Sequence, residues 1–295
     1  GDLALFSGGS STTPAIQEVT ISTTGNANSF GDLSKNAANS AGIGSKTRAV
    51  IALGDNTPAN EIADIEYVEF STKGNAASFG DLTSGRRLLA GGNNNTRGLF
   101  CGGKTPTVGN VVDYVTLSSL GNAADFGDMT SVTQGASSNA NSNTRVLAAG
   151  GRRGPSLNYF SAIDYFTIST TGNGTDFGDM TVARQYANAV SSSTRAVFMA
   201  GAEPSANTNV MDYVTTASTG NATDFGDATV TRRGVLPGSN STRGVAAGGD
   251  TPTLQNVIDF ITIASTGNAT DFGDLVESVS IAAGSSNGHG GLVGD

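Results

Sequence analysis

Residues 96–129 read TRGLFCGGKTPTVGNVVDYVTLSSLGNAADFGDM. Thr96-Arg97 opens a short apolar run that is stopped by Gly102 and Gly103. A turn segment around Pro106 leads into Val111–Ser118, VVDYVTLS, whose β-branched and aromatic residues alternate as in a half-buried strand. Gly121-Asn122 is a turn signal. Phe126–Met129 reads as a short outer strand, and Thr133–Asn141 (TQGASSNAN) as a final strand of small residues before the next Thr-Arg. Nowhere do apolar residues recur at helical spacing between capping signals.

The same order runs along the whole chain. The glycine of F-G-D falls at Gly31, Gly80, Gly127, Gly178, Gly226 and Gly273, a period of about 49 residues. Thr-Arg recurs at Arg48, Arg97, Arg145, Arg195 and Arg243. The glycine ending the apolar run recurs at Gly9, Gly54, Gly103, Gly151, Gly201 and Gly249, and Gly-Asn at 25–26, 74–75, 121–122, 172–173, 220–221 and 267–268. Four strands per repeat of this length are the signature of a β-propeller blade. Let the strands be a, b, c and d from the shaft outwards. Leu3–Gly9 matches strand b, with c and d after it, whereas Val279–Asn287 matches strand a with nothing after it. The sequence therefore predicts an all-β, six-bladed ring as one domain over 1–295, closed by N-terminal strands b, c and d plus C-terminal strand a, with no edge left over. Strand a is rich in Gly, Ala and Ser, which lets strands converge on a narrow shaft. Phe6, Phe100, Phe198, Tyr114, Tyr165, Phe166 and Phe260 on strands b and c are expected to fill the space between blades.

Composition narrows the chemistry. The chain has 295 residues, 41 of them Gly, with 1 Cys, 1 His, no Trp and a net charge of -9. One Cys excludes an internal disulfide framework, and one His excludes a multi-His metal centre. The acidic balance argues against nucleic-acid binding, and no apolar run is long enough to span a membrane. The first residue is Gly1 rather than Met, which reads as a processed product or a fragment. No nucleophile-elbow, phosphate-loop or dinucleotide motif occurs in strand–loop–helix context. Carboxylates pair only as repeat landmarks, so no glycosidase dyad stands out, and no EF-hand loop supports calcium at the Asp-rich turns. Cys101 reads as a small buried hydrophobe and His289 as a residue that ties the tail. No catalytic residue, cofactor or metal is expected. Sequons such as those at Asn221 and Asn268 are by-products of the repeat.

The repeated Arg opens strand b, and the FGD Asp reads as opening strand d, which would set both on one face. On that reading Arg48, Arg97, Arg145, Arg195 and Arg243 staple to Asp32, Asp81, Asp128, Asp179, Asp227 and Asp274. The residue before the strand-c aromatic (Gln17, Glu66, Asp113, Asp164, Asp212 or Asp259) reads as a turn or blade-contact residue. The c–d connections are nearly identical in all units, and the a–b turns beside them nearly all end in Thr-Arg. The b–c and d–a loops, on the opposite face, vary. The longest, Arg152–Ala162, brings two arginines and two aromatics together. Of the 16 cations, nine fall in these variable loops: Lys35, Arg86, Arg87, Lys104, Arg152, Arg153, Arg184, Arg232 and Arg233. This predicts a mildly basic face on an acidic body, suited to anionic surface glycans. Its candidate ligand-binding residues are Arg86, Arg87, Arg152, Arg153, Asn158, Tyr159, Phe160, Arg184, Tyr186, Arg232 and Arg233.

The strand–Gly-Gly–aromatic strand–turn–outer strand order resembles kelch-type propellers, though the kelch tryptophan is absent. More specifically, the tandem T-R-G-[VL]-x-x-G-G…N-V-[IV]-D-[YF]-[IV]-T-[IL]-x-S-x-G-N-A-x-D-F-G-D unit and the SSNGHGG ending resemble repeat proteins of marine bacteriophages, notably cyanophages, that are tail-associated or fibre proteins. The resemblance covers essentially the whole chain. It implies a virion component at the tail or a fibre that contacts a host surface glycan or receptor and other tail proteins. It carries over no catalytic residue. A structural decoration or adaptor protein and a polysaccharide-degrading propeller are the alternative readings.

Overall fold

The computed structural model describes residues 1–9, 13–56 and 60–292; these are β-strands and their connections, with one 3-10 turn at Gly290–Leu292. Six four-stranded antiparallel sheets repeat one meander. In the third, strand a is Ala90–Asn93, b is Arg97–Cys101, c is Val111–Thr116 and d is Ala124–Asp128. The chain's ends share a sheet: Ala283–Ser286 pairs antiparallel with Leu3–Ser7, in register from Ala4 opposite Ser286 to Ser7 opposite Ala283. The closure expected from the sequence is thus present.

Each F-G-D closes strand d rather than opening it, which corrects the sequence reading. Strand d begins two residues earlier, and its Phe is the extra residue of a β-bulge: Val112 faces Gly127 and Asp113 faces Asp125, so Phe126 is unpaired and turns inward. The same register shift recurs in all six sheets. In the five units with a strand-c aromatic the bulge places the Phe edge-on against it, as in Tyr67–Phe79 at 6.1 Å and Tyr165–Phe177 at 6.0 Å between centroids; the first unit has Glu18 at that place.

The Gly and Asp of F-G-D then join one unit to the next. Gly121 N–H donates to Phe79 O at 2.8 Å, Ala123 N–H to Asp81 O at 2.7 Å, and Asn122 Oδ1 accepts from Asp81 N–H at 3.1 Å. A Cβ on Gly80 (φ +153°) would lie 2.3 Å from Gly121 O, so only glycine permits this approach. The Gly-Asn of every unit docks in this way on strand d of the unit before it. The series ends where Gly25 and Ala27 donate to Phe272 O and Asp274 O, and Asn26 Oδ1 accepts from Asp274 N–H. Asn221 and Asn268, read as sequons, are latch residues of the same kind. Each latch satisfies outward main-chain groups of what would otherwise be an edge strand. Apolar clusters fill the gaps between sheets; one joins Ile43, Val50 and Phe79 to Phe100, Val115 and Leu117 of the next unit. Phe6, Phe100, Phe166 and Phe198 are fully buried as expected, while Tyr114, Tyr165 and Phe260 are partly so.

A second ring of hydrogen bonds surrounds the shaft. Leu88 N–H donates to Asn39 O, Gly135 to Leu88, Tyr186 to Gly135, Gly234 to Tyr186, Ile281 to Gly234, and Asn39 back to Ile281, at 2.9–3.0 Å. All six residues adopt φ between +51° and +66°, although only two are glycine. A β-branched residue such as Ile281 is strained there, and the closed cycle of bonds is what holds it. This ring lies at the end bearing the b–c and d–a loops.

The opposite end is stoppered by the tail. His289 is fully buried; its Nε2–H donates to Gly44 O at 2.7 Å, and its Nδ1 accepts from Gly291 N–H at 3.1 Å. A Cβ on Gly290 would meet Ser192 O at 1.9 Å and one on Gly291 would meet Asn93 O at 2.1 Å, so this glycine turn threads between strands a of different units. Burial pushes the His289 pKa down to about 4, with the bond to Gly44 opposing. The unfolded chain therefore takes up the proton first as pH falls, and His289 removes stability between its unfolded value near 6.5 and about pH 4. Denaturant titrations of wild type and His289→Gln at pH 7 and pH 4.5 test this. The expected result is that wild type loses about 2–3 kcal/mol more than the variant over that interval; parallel losses would contradict it.

Candidate functional site

The d–a loop is built on a fixed count from F-G-D. Five residues after the Asp stand Arg86, Arg184 and Arg232, which run inward beneath the sheet ends. Each reaches the strand-c acid of the next unit: Arg86 Nη1 lies 2.9 Å from Asp113 and Arg232 Nη2 3.0 Å from Asp259, while Arg184 pairs with Asp212. The carboxylates also accept from the start of the same d–a loop, as Asp113 does from Thr83 N–H at 3.0 Å and Oγ1 at 2.7 Å. The third unit has Thr133 where these three have Arg. Its partner Asp164 is served instead by Arg153, cross-strand from Thr133, at 2.9 Å. Gln17 is neutral, and Val279 stands at the corresponding position of the loop that faces it. Glu66 departs from the pattern: it is buried, Ala37 stands at the arginine position of the loop that faces it, and its carboxylate accepts from Ser34 N–H and Oγ instead.

This arrangement corrects two expectations. Arg86, Arg153, Arg184 and Arg232 are buried, so they cannot line a surface site. The repeated Thr-Arg residues do not staple to the F-G-D aspartates, because F-G-D ends strand d on the face opposite the start of strand b. Instead Arg97 lies 4.9 Å from the Tyr114 ring centroid and donates to Ile168 O and Ser169 O of the next unit, at 3.2 and 3.1 Å. Arg145, Arg195 and Arg243 do likewise towards Thr216, Ile263 and Ile21. Arg48 adds an ion pair to Glu69 at 2.6 Å. Asp32, Asp81, Asp128, Asp179, Asp227 and Asp274 act through their main chain, in the latch.

The expected basic face is mostly neutralised. Lys35 pairs with Asp64 at 2.8 Å, Arg87 with Asp55 at 2.9 Å and Glu61 at 3.4 Å, and Arg233 with Asp250 at 2.9 Å. Among the described residues of that face, Lys104 and Arg152 have no carboxylate partner.

What the face does assemble is a mouth around the axial hydrogen-bond ring. Gln134, Arg152 and Tyr159 lie in cross-strand register in a three-stranded ribbon (Thr133–Gln134, Arg152–Arg153 and Asn158–Tyr159). Directly opposed residues project to the same side, so these three point away from buried Arg153, and Asn158 lies on Arg153's side. Arg152 sits 5.8 Å from the Tyr159 ring centroid and donates through Nε to Leu157 O at 2.8 Å. From the d–a loop that follows in the same unit, Gln185 Nε2 donates to Tyr159 Oη at 3.2 Å, and Tyr186 lies 5.8 Å beneath the Arg233 guanidinium. The Tyr186 ring occupies space that a Cβ on Gly135 would need, at 2.9 Å. Burial raises the Tyr186 pKa, with Arg233 opposing and Tyr159, Arg152 and Arg87 also felt electrostatically.

Gln134 and Gln185 are 7% and 6% exposed, and neither Oε1 has a hydrogen-bond partner. Below the mouth the shaft entrance encloses about 20 Å³, room for roughly one water. Gln134, Gln185 and Gly135 are absent from the sequence-based site. Their signal is positional: each glutamine stands where Arg87 and Arg233 stand in other units. Phe160, at 41% exposure, lies outside this cluster. No group of three or more His, Cys, Asp or Glu among the described residues is placed to hold a metal.

No protein-family model matches the chain, and no curated protein matches it. Among solved structures it is similar to one titled "Structure of YjhT", with TM-score 0.69 and 12% identity, over 84% of this chain and 86% of that one. At that identity the likeness speaks for the fold alone. The chain is a β-propeller. The propeller's central shaft, stoppered at one end and narrowed at the other, leaves the mouth and its surrounding loops as the surface where the units differ most.

Adjacent arginines therefore have opposite roles in this propeller. Arg153→Ala is expected to cost about 3–5 kcal/mol by leaving Asp164 buried without its cation, and Arg152→Ala less than about 1 kcal/mol. Urea denaturation of both variants checks this; equal losses would refute the assignment.

Proposed function

We propose that this chain is a single-domain, kelch-like propeller of six blades, carried on a bacteriophage tail or fibre. It binds a host surface glycan or receptor through its b–c and d–a loops and does no chemistry on it. One observation carries the reading: the units agree where they touch one another and differ around the mouth, where tyrosines and the Arg152 guanidinium collect. A rigid closed scaffold bearing variable loops is how folds present recognition surfaces. The virion setting is supported by the repeat's resemblance to marine bacteriophage tail proteins.

The non-catalytic part rests on the chemistry at the mouth. Asp55 and Asp250 are engaged by Arg87 and Arg233, and His289 lies in the plug at the other end. The remaining groups bind and orient but offer no activated nucleophile or paired acid and base. Purified protein is expected to bind cyanobacterial host cells saturably, with competition by their isolated surface polysaccharide. Retention by tail proteins without cell binding would favour the adaptor role and overturn the reading. Release of oligosaccharides from the polysaccharide would overturn its non-catalytic part.

A further inference from the structure

The third and sixth units carry the same b–c hairpin, and one difference between the two marks a site. Residues 104–108, KTPTV, and 250–254, DTPTL, pair in the same register. Each hairpin also exchanges main-chain hydrogen bonds with an arginine of the preceding d–a loop, Lys104 with Arg87 and Asp250 with Arg233. In the sixth unit that bridge joins opposite charges, and Arg233 Nε lies 2.9 Å from Asp250. In the third it sets two cations opposite one another, which is unfavourable. Arg87 turns to Asp55 and Glu61. Lys104 is left without a carboxylate among the described residues.

Lys104 lines an open cleft of about 350 Å³ between the b–c loops of the third and fourth units. Pro106 and Val108 come from the first loop, Pro155 and Leu157 from the second, and Val132 from the d–a loop that links the two units. Both loops are held in place. Lys104–Thr105 pairs with Thr107–Val108, while Gly154 N–H donates to Val132 O and Leu157 N–H to Gly154 O, each at 3.1 Å. The volume is that of a small ligand pocket, and Lys104 is the one charged residue on its lining. Arg152, the other cation of this face without a carboxylate partner among the described residues, adds its charge to the second loop by donating to Leu157 O.

The chemistry of the lining selects the occupant. Its side-chain hydrogen-bonding groups are those of Lys104 and Thr107 alone. A sugar ring entering here would give up the hydration of its hydroxyls for few partners. An aliphatic side chain gains by entering, and a carboxylate beside it meets the Lys104 ammonium. Those two groups stand side by side on a polypeptide wherever Leu, Ile or Val adjoins Asp or Glu. We propose that this cleft receives an aliphatic side chain and the neighbouring carboxylate of a protein on the host surface. This rests on the proposed binding function, on whose loops the cleft lies, and makes the partner at this place a protein.

The test titrates the whole protein with acetyl-Leu-Asp-amide by chemical-shift NMR, with acetyl-Leu-Asn-amide, acetyl-Ala-Asp-amide and glucuronic acid as controls. Binding to host cells is measured before and after their surface proteins are shaved with protease. Expected is millimolar binding of the Leu-Asp peptide, with shifts at the Val108, Val132 and Leu157 methyl groups. It is expected to bind about fivefold tighter than the Asn peptide and about tenfold tighter than the Ala peptide. Lys104→Gln is expected to abolish the preference for Asp without moving Tm, and both this variant and shaving to weaken cell binding. Suppose instead that wild type binds cells but takes the Leu-Asp peptide no better than either control peptide, or takes glucuronic acid as tightly. This inference then fails and the binding function stands, as it does if Lys104→Gln changes nothing or if shaved cells bind as well as intact ones. If wild type binds no host cells, both fail.

Discussion

The interaction on which everything else depends is the latch between F-G-D of one unit and Gly-Asn of the next. A four-stranded sheet of this kind ends in an exposed strand d, and an exposed edge invites pairing with another chain. Here the neighbouring unit's c–d connection takes up the outward main-chain groups of Phe79 and Asp81. Each bond is worth about 1 kcal/mol net, but the set is closed, so no unit can loosen alone without opening a neighbour. The bulge that creates the latch also turns the phenylalanine inward, which couples inter-unit bonding to packing within the unit. Three residues thus serve three purposes: Phe fills the core, Gly admits the neighbour's carbonyl, and Asp supplies main-chain groups to the seam.

A closed seam frees the opposite face. Because the latch, the Thr-Arg contacts and the tail plug hold the ring, the b–c and d–a loops need only preserve the buried ion pairs beneath them. Even there the cation need not come from one sequence position, as Arg153 standing in for the residue missing at Thr133 makes plain. The surface above those pairs can differ from unit to unit at little cost. The fourth unit uses that latitude most, with its three-stranded ribbon and with Tyr186, seated where Gly135 leaves room.

Much of this was legible in the sequence because repetition multiplies weak signals. The period, the strand types and the pairing of Leu3–Ser7 with Ala283–Ser286 all follow from landmark order. Where the reading failed, it failed on side-chain direction. Arg152 and Arg153 differ by one place in a strand, and a period of two sends one outward and the other into the core; composition counts both as surface charge. Reading F-G-D as the start of strand d reversed the end at which its Asp lies, and so paired it with the wrong arginines. The bulge that shifts this register leaves no mark in residue type beyond the glycine itself.

Native-state amide hydrogen exchange at Gly25 and Ala27 tests the closed ring most directly, since these amides join the last unit to the first. If the ring is closed as described, both exchange as slowly as Gly121 and Ala123 at an internal seam, through one common opening. Exchange at Gly25 and Ala27 at rates near those of an unfolded chain, with Gly121 and Ala123 still protected, would mean that the ring is open and that the account is wrong.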